Sequence, residues 1–467
     1  MRQLILWDKK GEILSVNADK KRSLTEGSVM KNILVFSLPY LFSTFLQTLY
    51  GLADLFIIGQ FDGVAGTTAV SIGSQVMHMV TVMIVGLAMG ATVRIGRAVG
   101  AKDGGMANEA VGNAATLFMG IAAAMTAILL LCVNGVVGLL STPQEALAGT
   151  RLYLTICFAG IPCVTAYNVI SSIFRGMGDS KSPMVFIAVA CAANIALDYL
   201  FIGALHLGAA GAALGTTLSQ AISVAAALTA VIRKKMIPGL KAGHLKPRHR
   251  TMAALLKVGL PVAAQDGLIQ VGFIVITVIA NMRGLNDSAA VGIVEKIISI
   301  LFLVPSTLLS TVSALASQNI GAGRHDRAKQ TLFDAVGMAV GYGLLIGIAM
   351  QFVAENAVAL FASEEAVIQL GGQYLRSYAW DCLFAGVHFS YSGFFCAYGL
   401  STISFLHNII SLTAARLPLA WLASAMDKNS LTPMGMAAPV GSVVSVVICL
   451  IAYRWMKKHP EKWKEES

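Results

Sequence analysis

The chain has 467 residues, of which 56% are hydrophobic and only 12% charged, whereas a soluble protein carries about 25% charged residues. The deficit runs along nearly the whole length, which excludes a soluble globular protein and predicts a polytopic membrane protein. A net charge of +10 raises nucleic-acid binding, but the basic residues fall in short blocks between apolar runs and leave no continuous basic face, so that class is excluded too.

In chain order, the first 30 residues form a polar segment expected in the cytoplasm. It has no apolar h-region beyond Leu4–Trp7, so no cleavable signal peptide is expected and the first span directs insertion. At about 20 residues per span, the apolar runs predict twelve helices near 32–58, 67–95, 108–133, 146–175, 182–204, 209–234, 251–281, 287–318, 327–354, 366–397, 402–425 and 434–456. The basic connector 235–250 separates a first lobe, 31–234, from a second, 251–458, followed by a cytoplasmic tail, 459–467. With both termini placed in the cytoplasm, all but six of the 34 Lys and Arg lie on the cytoplasmic side; Arg151, Arg283 and Lys428 fall outside, and Lys296, Arg376 and Arg416 within helices. The positive-inside rule therefore predicts both ends in, across a bacterial-type inner (plasma) membrane. Seven cysteines, Cys132, Cys157, Cys163, Cys191, Cys382, Cys396 and Cys449, lie in apolar stretches without CxxC spacing, and predict neither disulfides nor a zinc site.

The two halves repeat. Leu38-Pro39 opens the first and Leu260-Pro261 the second. Gly100-Ala101 matches Gly321-Ala322, Tyr153 matches Tyr374 and Gly178 matches Gly399, all at a shift of 221 residues. Each half has six spans and so enters from the same side, which makes these parallel repeats as in several secondary transporters.

The candidate chemistry lies where the repeat fails. Asp54 sits within the apolar run 33–58, where a charge is expensive and is a functional candidate by default. Gln47 and Tyr50 share its helical face by their spacing of four and three. Asn194 and Asp198, four apart, share another face. At the common shift Asp54 falls opposite Val275 or Ile276, and Asp198 opposite Leu419, so both carboxylates belong to the first half alone. A lone buried Asp is often a structural partner of a nearby donor. Two acids in one half, with no basic residue deep in those six helices, predict a cation or proton site. A proton or Na⁺ shared by Asp54 and Asp198 would compete with a cationic substrate for the same charge, which is the minimum for antiport.

Other intramembrane polar groups carry less. Glu295 and Lys296 are adjacent and must point to different helix faces, either being able to line a cavity or to form a structural tie. Asp266, Asp381 and Arg416 lie nearer helix ends, where a structural role is expected, and His78, His388 and His407 read as hydrogen-bonded core residues. Pro39, Pro162, Pro261, Pro305 and Pro439 free backbone carbonyls and permit kinks. No GxxxxGK[ST] occurs, so ATP is not the expected driver, and no HExxH or nucleophile constellation supports a membrane enzyme.

These residues carry a family resemblance. Ser37-Leu38-Pro39, Gln47-Thr48-Leu49-Tyr50-Gly51-Leu52-Ala53-Asp54, Gly100-Ala101, Phe174 to Pro183 and, most specifically, Asn194-Ile195-Ala196-Leu197-Asp198 followed by Leu207 to Ala213 resemble the MATE (multidrug and toxic compound extrusion) transporters, from about Lys31 to Lys458. The acids in the first and fifth spans resemble the DinF-type branch. The resemblance implies an all-α architecture of twelve transmembrane helices, two pseudo-symmetric six-helix lobes around a central cleft, alternating access, and export of amphipathic, cationic organic compounds in exchange for H⁺ or Na⁺. It implies no cofactor, no ATP and action as a monomer in the lipid bilayer. Carried over by position, Asp54, Asn194, Asp198 and Thr216 would hold the proton or Na⁺, all of them oxygen donors suited to a hard cation. Gln47, Tyr50, Tyr153 and Asn168 would line the substrate cleft, and Pro39 would mark a bend in the first helix. The NorM-type branch has acids in the seventh and tenth spans; Asp266 and Asp381 lie near but not at the matching positions, and take no role from it. Two alternatives stand beside export. A flippase for lipid-linked precursors needs basic cleft residues, for which only Lys296 and Arg416 are available, and a polytopic membrane enzyme lacks a catalytic constellation.

Overall fold

The computed structural model describes residues 6–7, 13–14, 24–140, 142–233 and 237–460. Most of the polar N-terminal segment, Lys235 of the linker and residues 461–467 of the tail lie outside the described residues. Two short strands, β1 (Leu6–Trp7) and β2 (Ile13–Leu14), pair antiparallel. The remaining regular structure among the described residues is helical. The first half contains α1 (Val29–Phe61), α2 (Gly63–Gly100), α3 (Gly104–Leu139), α4 (Gln144–Ala159), α5 (Ile161–Gly176), α6 (Lys181–Asp198) and α7 (Gly208–Arg233). The second contains α8 (His249–Asn281), α9 (Leu285–Leu301), α10 (Leu303–Gly321), α11 (His325–Ala359), α12 (Glu365–Tyr378), α13 (Asp381–Ala397), α14 (Ser401–Ile410), α15 (Leu417–Met426) and α16 (Thr432–Lys458). A π-helical turn, Tyr199–Ala204, extends α6, and another, Ser411–Arg416, joins α14 to α15.

Taking α6, α9–α10 and α14–α15 with their continuations, ten helical stretches among the described residues are long and apolar enough to cross a bilayer. The pair α4–α5, bent by 47°, is an eleventh. The pair α12–α13 takes the corresponding place in the second half. The expected single spans 146–175 and 366–397 are therefore each broken. Pro162 explains the first break, since without an N–H it cannot continue a helix but fits an opening turn. Large apolar side chains such as Leu131 and Phe352 are 85% and 79% exposed, the outward surface of a protein whose solvent is lipid.

The chain divides into two compact units, Met1–Leu256 with Ser317–Arg327, and Lys257–Ala316 with Ala328–Ser467. The first packs Ile57, Ile58, Val70, Tyr153 and Phe158 into one core. The second does the same with Val294, Ile298, Tyr374, Leu375 and Tyr378, so the repeat pair Tyr153 and Tyr374 is buried in both.

The repeat extends to individual hydrogen bonds. After α5, Gly178 turns left-handed at φ 87° and Asp179 N–H donates to the Phe174 carbonyl at 2.9 Å. After α13, Gly399 does so at φ 74° and Leu400 N–H donates to Phe395 at 2.8 Å. Both are helix ends in which a glycine accepts the conformation a side chain resists. In the first unit a Cβ on Gly100 would meet the Gln318 carbonyl at 1.9 Å, and one on Gly321 would meet the Arg97 carbonyl at 2.0 Å. The ends of α2 and α10 thus cross backbone to backbone, which explains this matched glycine pair.

The prolines fare differently. In α8, Pro261 releases the Lys257 carbonyl, and the Ser401 hydroxyl donates to it at 2.8 Å. In α10, Pro305 releases the Leu301 carbonyl, and Tyr342 donates to it at 2.8 Å. In α1, Pro39 releases the Val35 carbonyl, which receives no such hydroxyl among the described residues. Instead Ser43 donates to Pro39 at 2.8 Å, Thr44 to Leu41 at 2.8 Å and Thr48 to Thr44 at 3.2 Å, all within the same helix. Such back-bonding bends helices.

Candidate functional site

Three helices of the first unit build the site. Asp54 lies in the last third of α1, Asn194 and Asp198 in the last two turns of α6, and Thr216 two turns into α7. Asp54 is 3% exposed, while Asn194 and Asp198 are wholly buried. The Thr216 hydroxyl donates to Asp54 Oδ2 at 3.0 Å. Asn194 and Asp198 lie close enough to act on the Asp54 carboxyl, but neither is at hydrogen-bond distance from it. The Asp198 carboxyl is seated on the backbone of α7, where a Cβ on Gly215 would lie 2.1 Å from Asp198 Oδ1. Directly after Asp198 the helix widens into the π-helical turn, a distortion often found at functional sites.

The polar groups here are under-satisfied. Asp54 Oδ1, both Asp198 oxygens and both amide atoms of Asn194 are buried without a hydrogen-bond partner. Buried polar atoms are almost always paired, so five orphans in one place need an explanation. Among the described residues no cationic side chain acts on either acid. Two carboxylates cannot both stay charged in a water-poor interior without a counter-ion. The donor set of carboxylate, amide and hydroxyl oxygens fits a proton or a hard monovalent cation. Among the described residues no cluster of three His, Cys, Asp or Glu could hold a transition metal.

Tyr50, Tyr153 and Cys157 all lie in the field of Asp54. Tyr153 packs flat on α2, where a Cβ on Gly73 would meet its Cδ1 at 2.3 Å. Gln47 is half-buried two turns before Asp54. Asn168 is buried in α5, and its amide donates to its own helix, to Val164 at 2.9 Å, rather than to the carboxylates. Gln220 was missed by the sequence reading. It is 4% exposed, engages Tyr50 and leaves Oε1 unpaired. Its signal was available, since Thr216 and Gln220 are four apart in one predicted span and so share a face.

The second unit holds a different polar cluster. Arg416, at the end of the second π-helical turn, hydrogen-bonds the Tyr378 hydroxyl and lies 5.1 Å from the Phe273 ring centroid and 5.3 Å from that of Tyr378. Asp381 and Glu295 both lie in its field. Thr277 donates to Glu295 Oε2 at 3.3 Å. Lys296 is exposed, so Glu295 and Lys296 do face opposite ways. Asp266 sits 3.5 Å from the Gln265 amide, and His407 is held between Ser392 and Ser445 at 2.8 and 3.2 Å, a hydrogen-bonded core histidine as expected. Bases do occur in the helices of the first half, Arg94 and Arg97 toward the end of α2 and Arg175 in the last turn of α5, but none lies deep in a span. All three occupy helix ends, and Arg175 is held by Ser172 at 2.6 Å and stacked over Tyr40.

Comparison with known proteins places this arrangement. The MatE family model matches residues 39–200 and again 261–422, one match in each half. A probable multidrug resistance protein of Bacillus subtilis, YpnP, is 30% identical over 407 residues, covering 87% of this chain and 91% of that protein. The multidrug export protein MepA of Staphylococcus aureus is 25% identical over 377 residues, covering 79% and 82%. Among solved structures, an outward-facing multidrug resistance MATE family transporter of the MOP superfamily superposes with a TM-score of 0.89 at 20% identity, covering 96% of this chain and all of that one. At that identity the superposition speaks for the fold, and the two-part family match speaks for descent. The chain belongs to the MatE family of membrane transporters and is not an enzyme.

Proposed function

We propose that this transporter exports amphipathic, cationic organic compounds in exchange for H⁺ or Na⁺. The observation that carries the reading is the buried pair Asp54 and Asp198, with Asn194 and Thr216 beside them and five polar atoms unpaired. An organic cation and the coupling ion neutralise the same carboxylates, so occupancy by one disfavours the other, and alternating access turns that competition into exchange. Tyr50, Tyr153 and Gln220 offer an aromatic and amide wall against which a flat cation can rest. Gln47 and Asn168 complete the substrate-facing set. Na⁺, where it is the coupling ion, takes oxygens from Asp54, Asn194, Asp198 and Thr216; a proton needs only the two acids. The multidrug names of YpnP and MepA support the substrate class.

Both termini face the cytoplasm of a bacterial-type plasma membrane in this reading, the two lobes are 31–234 and 251–458, the protein acts as a monomer, and ATP has no part. The flippase alternative keeps only the exposed Lys296 as a free base, because Arg416 is already engaged by Tyr378 and Phe273.

The test is efflux of a fluorescent organic cation from proteoliposomes under a pH gradient and, separately, a Na⁺ gradient. One gradient is expected to drive wild type, and Asp54→Asn and Asp198→Asn to abolish that drive. Unchanged gradient-driven efflux in both variants overturns the proposal.

A further inference from the structure

From Arg233, the last residue of α7, to Arg250 in the first turn of α8, the chain has Lys or Arg at 233, 234, 235, 241, 246, 248 and 250, and no Asp or Glu. A loop of that charge is usually left solvated and mobile. Here one face of α3 captures its backbone. Asn108 donates to the Pro238 carbonyl at 3.0 Å, Asn113 to His244 at 3.2 Å and Thr116 to Leu245 at 2.8 Å. The Asn113 carbonyl accepts from the Arg248 N–H at 2.7 Å. Gly112 lets the chain approach, since a Cβ there would meet the His244 carbonyl at 2.3 Å. Residues 108, 112, 113 and 116 follow the helical repeat, so α3 carries a stripe built to receive this segment. Glu109, beside the stripe, pairs with Arg248 and accepts from the Thr251 hydroxyl.

That docking decides what the loop presents. The Pro238, His244 and Leu245 carbonyls are turned to α3, and the side chains of Lys241, Lys246 and Arg250 are exposed, flanked by Leu240 and Leu245 at 39% and 46% exposure. Glu109 of α3 is taken by Arg248. Arg250 stands in the first turn of α8, which has no acidic residue to offset the positive end of the helix dipole.

The height of this surface follows from helix length. With 36 residues α3 is about 54 Å long, against a hydrocarbon core of about 30 Å. About 12 Å projects at each end when the helix is centred, which corresponds to about the first eight residues. The docked segment meets α3 from Asn108 to Thr116 and so straddles the boundary between headgroups and acyl chains. Exposed leucines beside lysines and arginines at that level match a lipid leaflet, apolar below and phosphate above.

We propose that the α7–α8 connector, clamped on α3, is a binding surface for anionic phospholipid headgroups, with Lys241, Lys246 and Arg250 on the phosphates and Leu240 and Leu245 against the acyl region. Each such cation near an anionic membrane surface is worth about fivefold in binding. The clamp adds selectivity because three cations held in one orientation need not be ordered at the moment of contact. The surface is independent of the Asp54–Asp198 site.

The test uses the full-length protein in nanodiscs of mixed phosphatidylglycerol and phosphatidylcholine, with the lipids retained on release read by native mass spectrometry. Wild type is expected to retain the anionic lipid over the zwitterionic one by at least about tenfold. The triple variant Lys241→Gln, Lys246→Gln, Arg250→Gln is expected to fall to near parity. The pair Asn113→Ala, Thr116→Ala keeps every charge and releases the clamp, and is expected to lose most of the preference. Lys241→Arg with Lys246→Arg is expected to keep it, which guards against a folding defect. Retention by the triple variant at the wild-type level overturns the proposal. Full preference in the unclamped pair reduces the effect to net charge and overturns it as well, as does displacement of the lipid by millimolar inorganic phosphate, which marks a soluble-anion site.

Discussion

The two halves share a fold and solve the problem of buried charge in opposite ways. In the first, Asp54 and Asp198 approach each other with no base among the described residues acting on either, and five polar atoms around them are unpaired. In the second, Asp381 and Glu295 share the field of Arg416, which is itself held by Tyr378 and two aromatic rings. The second half carries its counter-ion covalently; in the proposed exchange the first takes one from outside. An exchangeable ion belongs where the protein supplies the negative charges and withholds the positive one. The prolines repeat the contrast. Pro261 has its freed carbonyl closed by Ser401, while in α1 the Ser43, Thr44 and Thr48 hydroxyls that follow Pro39 bond back to their own helix, which fits the proposed bend there.

The largest effect expected from this contrast separates the two acid pairs. Asp54→Asn should remove essentially all gradient-driven transport, whereas Asp381→Asn should leave ion coupling in place, as read by ion-resolved proteoliposome efflux. Equal loss in both would erase the distinction between the halves. Next in size, Arg416→Met leaves Asp381 and Glu295 without a counter-ion. A loss of about 2–3 kcal/mol is expected, below that of a wholly buried pair because Arg416 is only half-buried. It should appear as a lower unfolding temperature in detergent, partly restored by adding Asp381→Asn. A wild-type midpoint in Arg416→Met would show that the second half is not self-neutralised.

A smaller change sharpens the picture of the first half. Gly215→Ala puts a methyl where Asp198 Oδ1 now lies, 2.1 Å from the added carbon. The carboxyl must move, at about 1–2 kcal/mol, and the apparent affinity for the coupling ion should drop by about tenfold at 1.4 kcal/mol, measured from the ion dependence of transport. Unaltered ion dependence would mean that the seat of Asp198 does not set affinity. The smallest effect is expected from the prolines. Pro39→Ala should slow turnover several-fold without changing expression, and Pro261→Ala should leave turnover unchanged. The reverse order would move the flexible helix to the second half.

Much of this was legible in the sequence because membrane proteins write their constraints locally. Spans of about 20 apolar residues, the paired glycines and the 221-residue shift follow from chain chemistry and need no partner to be seen. The one-sided placement of Asp54 and Asp198 was visible for the same reason, as a failure of the repeat. Gln220 was legible in principle, by its spacing from Thr216, but an amide in a helix carries no charge to mark it. The breaks in the fourth and tenth spans were not read, because a proline or glycine inside an apolar run permits a bend without requiring it.

The sequence by itself determined the membrane class, the twelve-span count, the repeat and the two acids worth suspecting. Only the tertiary structure decided that Thr216 donates to Asp54, that Asp198 rests on Gly215, and that Asp381 and Arg416 belong to one cluster. The reason is physical. Hydropathy and helical periodicity are properties of a single segment, whereas the neutralisation of a buried charge depends on which side chain another helix brings beside it. Asp54 and Asp381 are the same residue in similarly apolar helices, and it is their neighbours across the bundle that leave one without a basic partner, as the proposed ion site requires, and put the other in the field of Arg416.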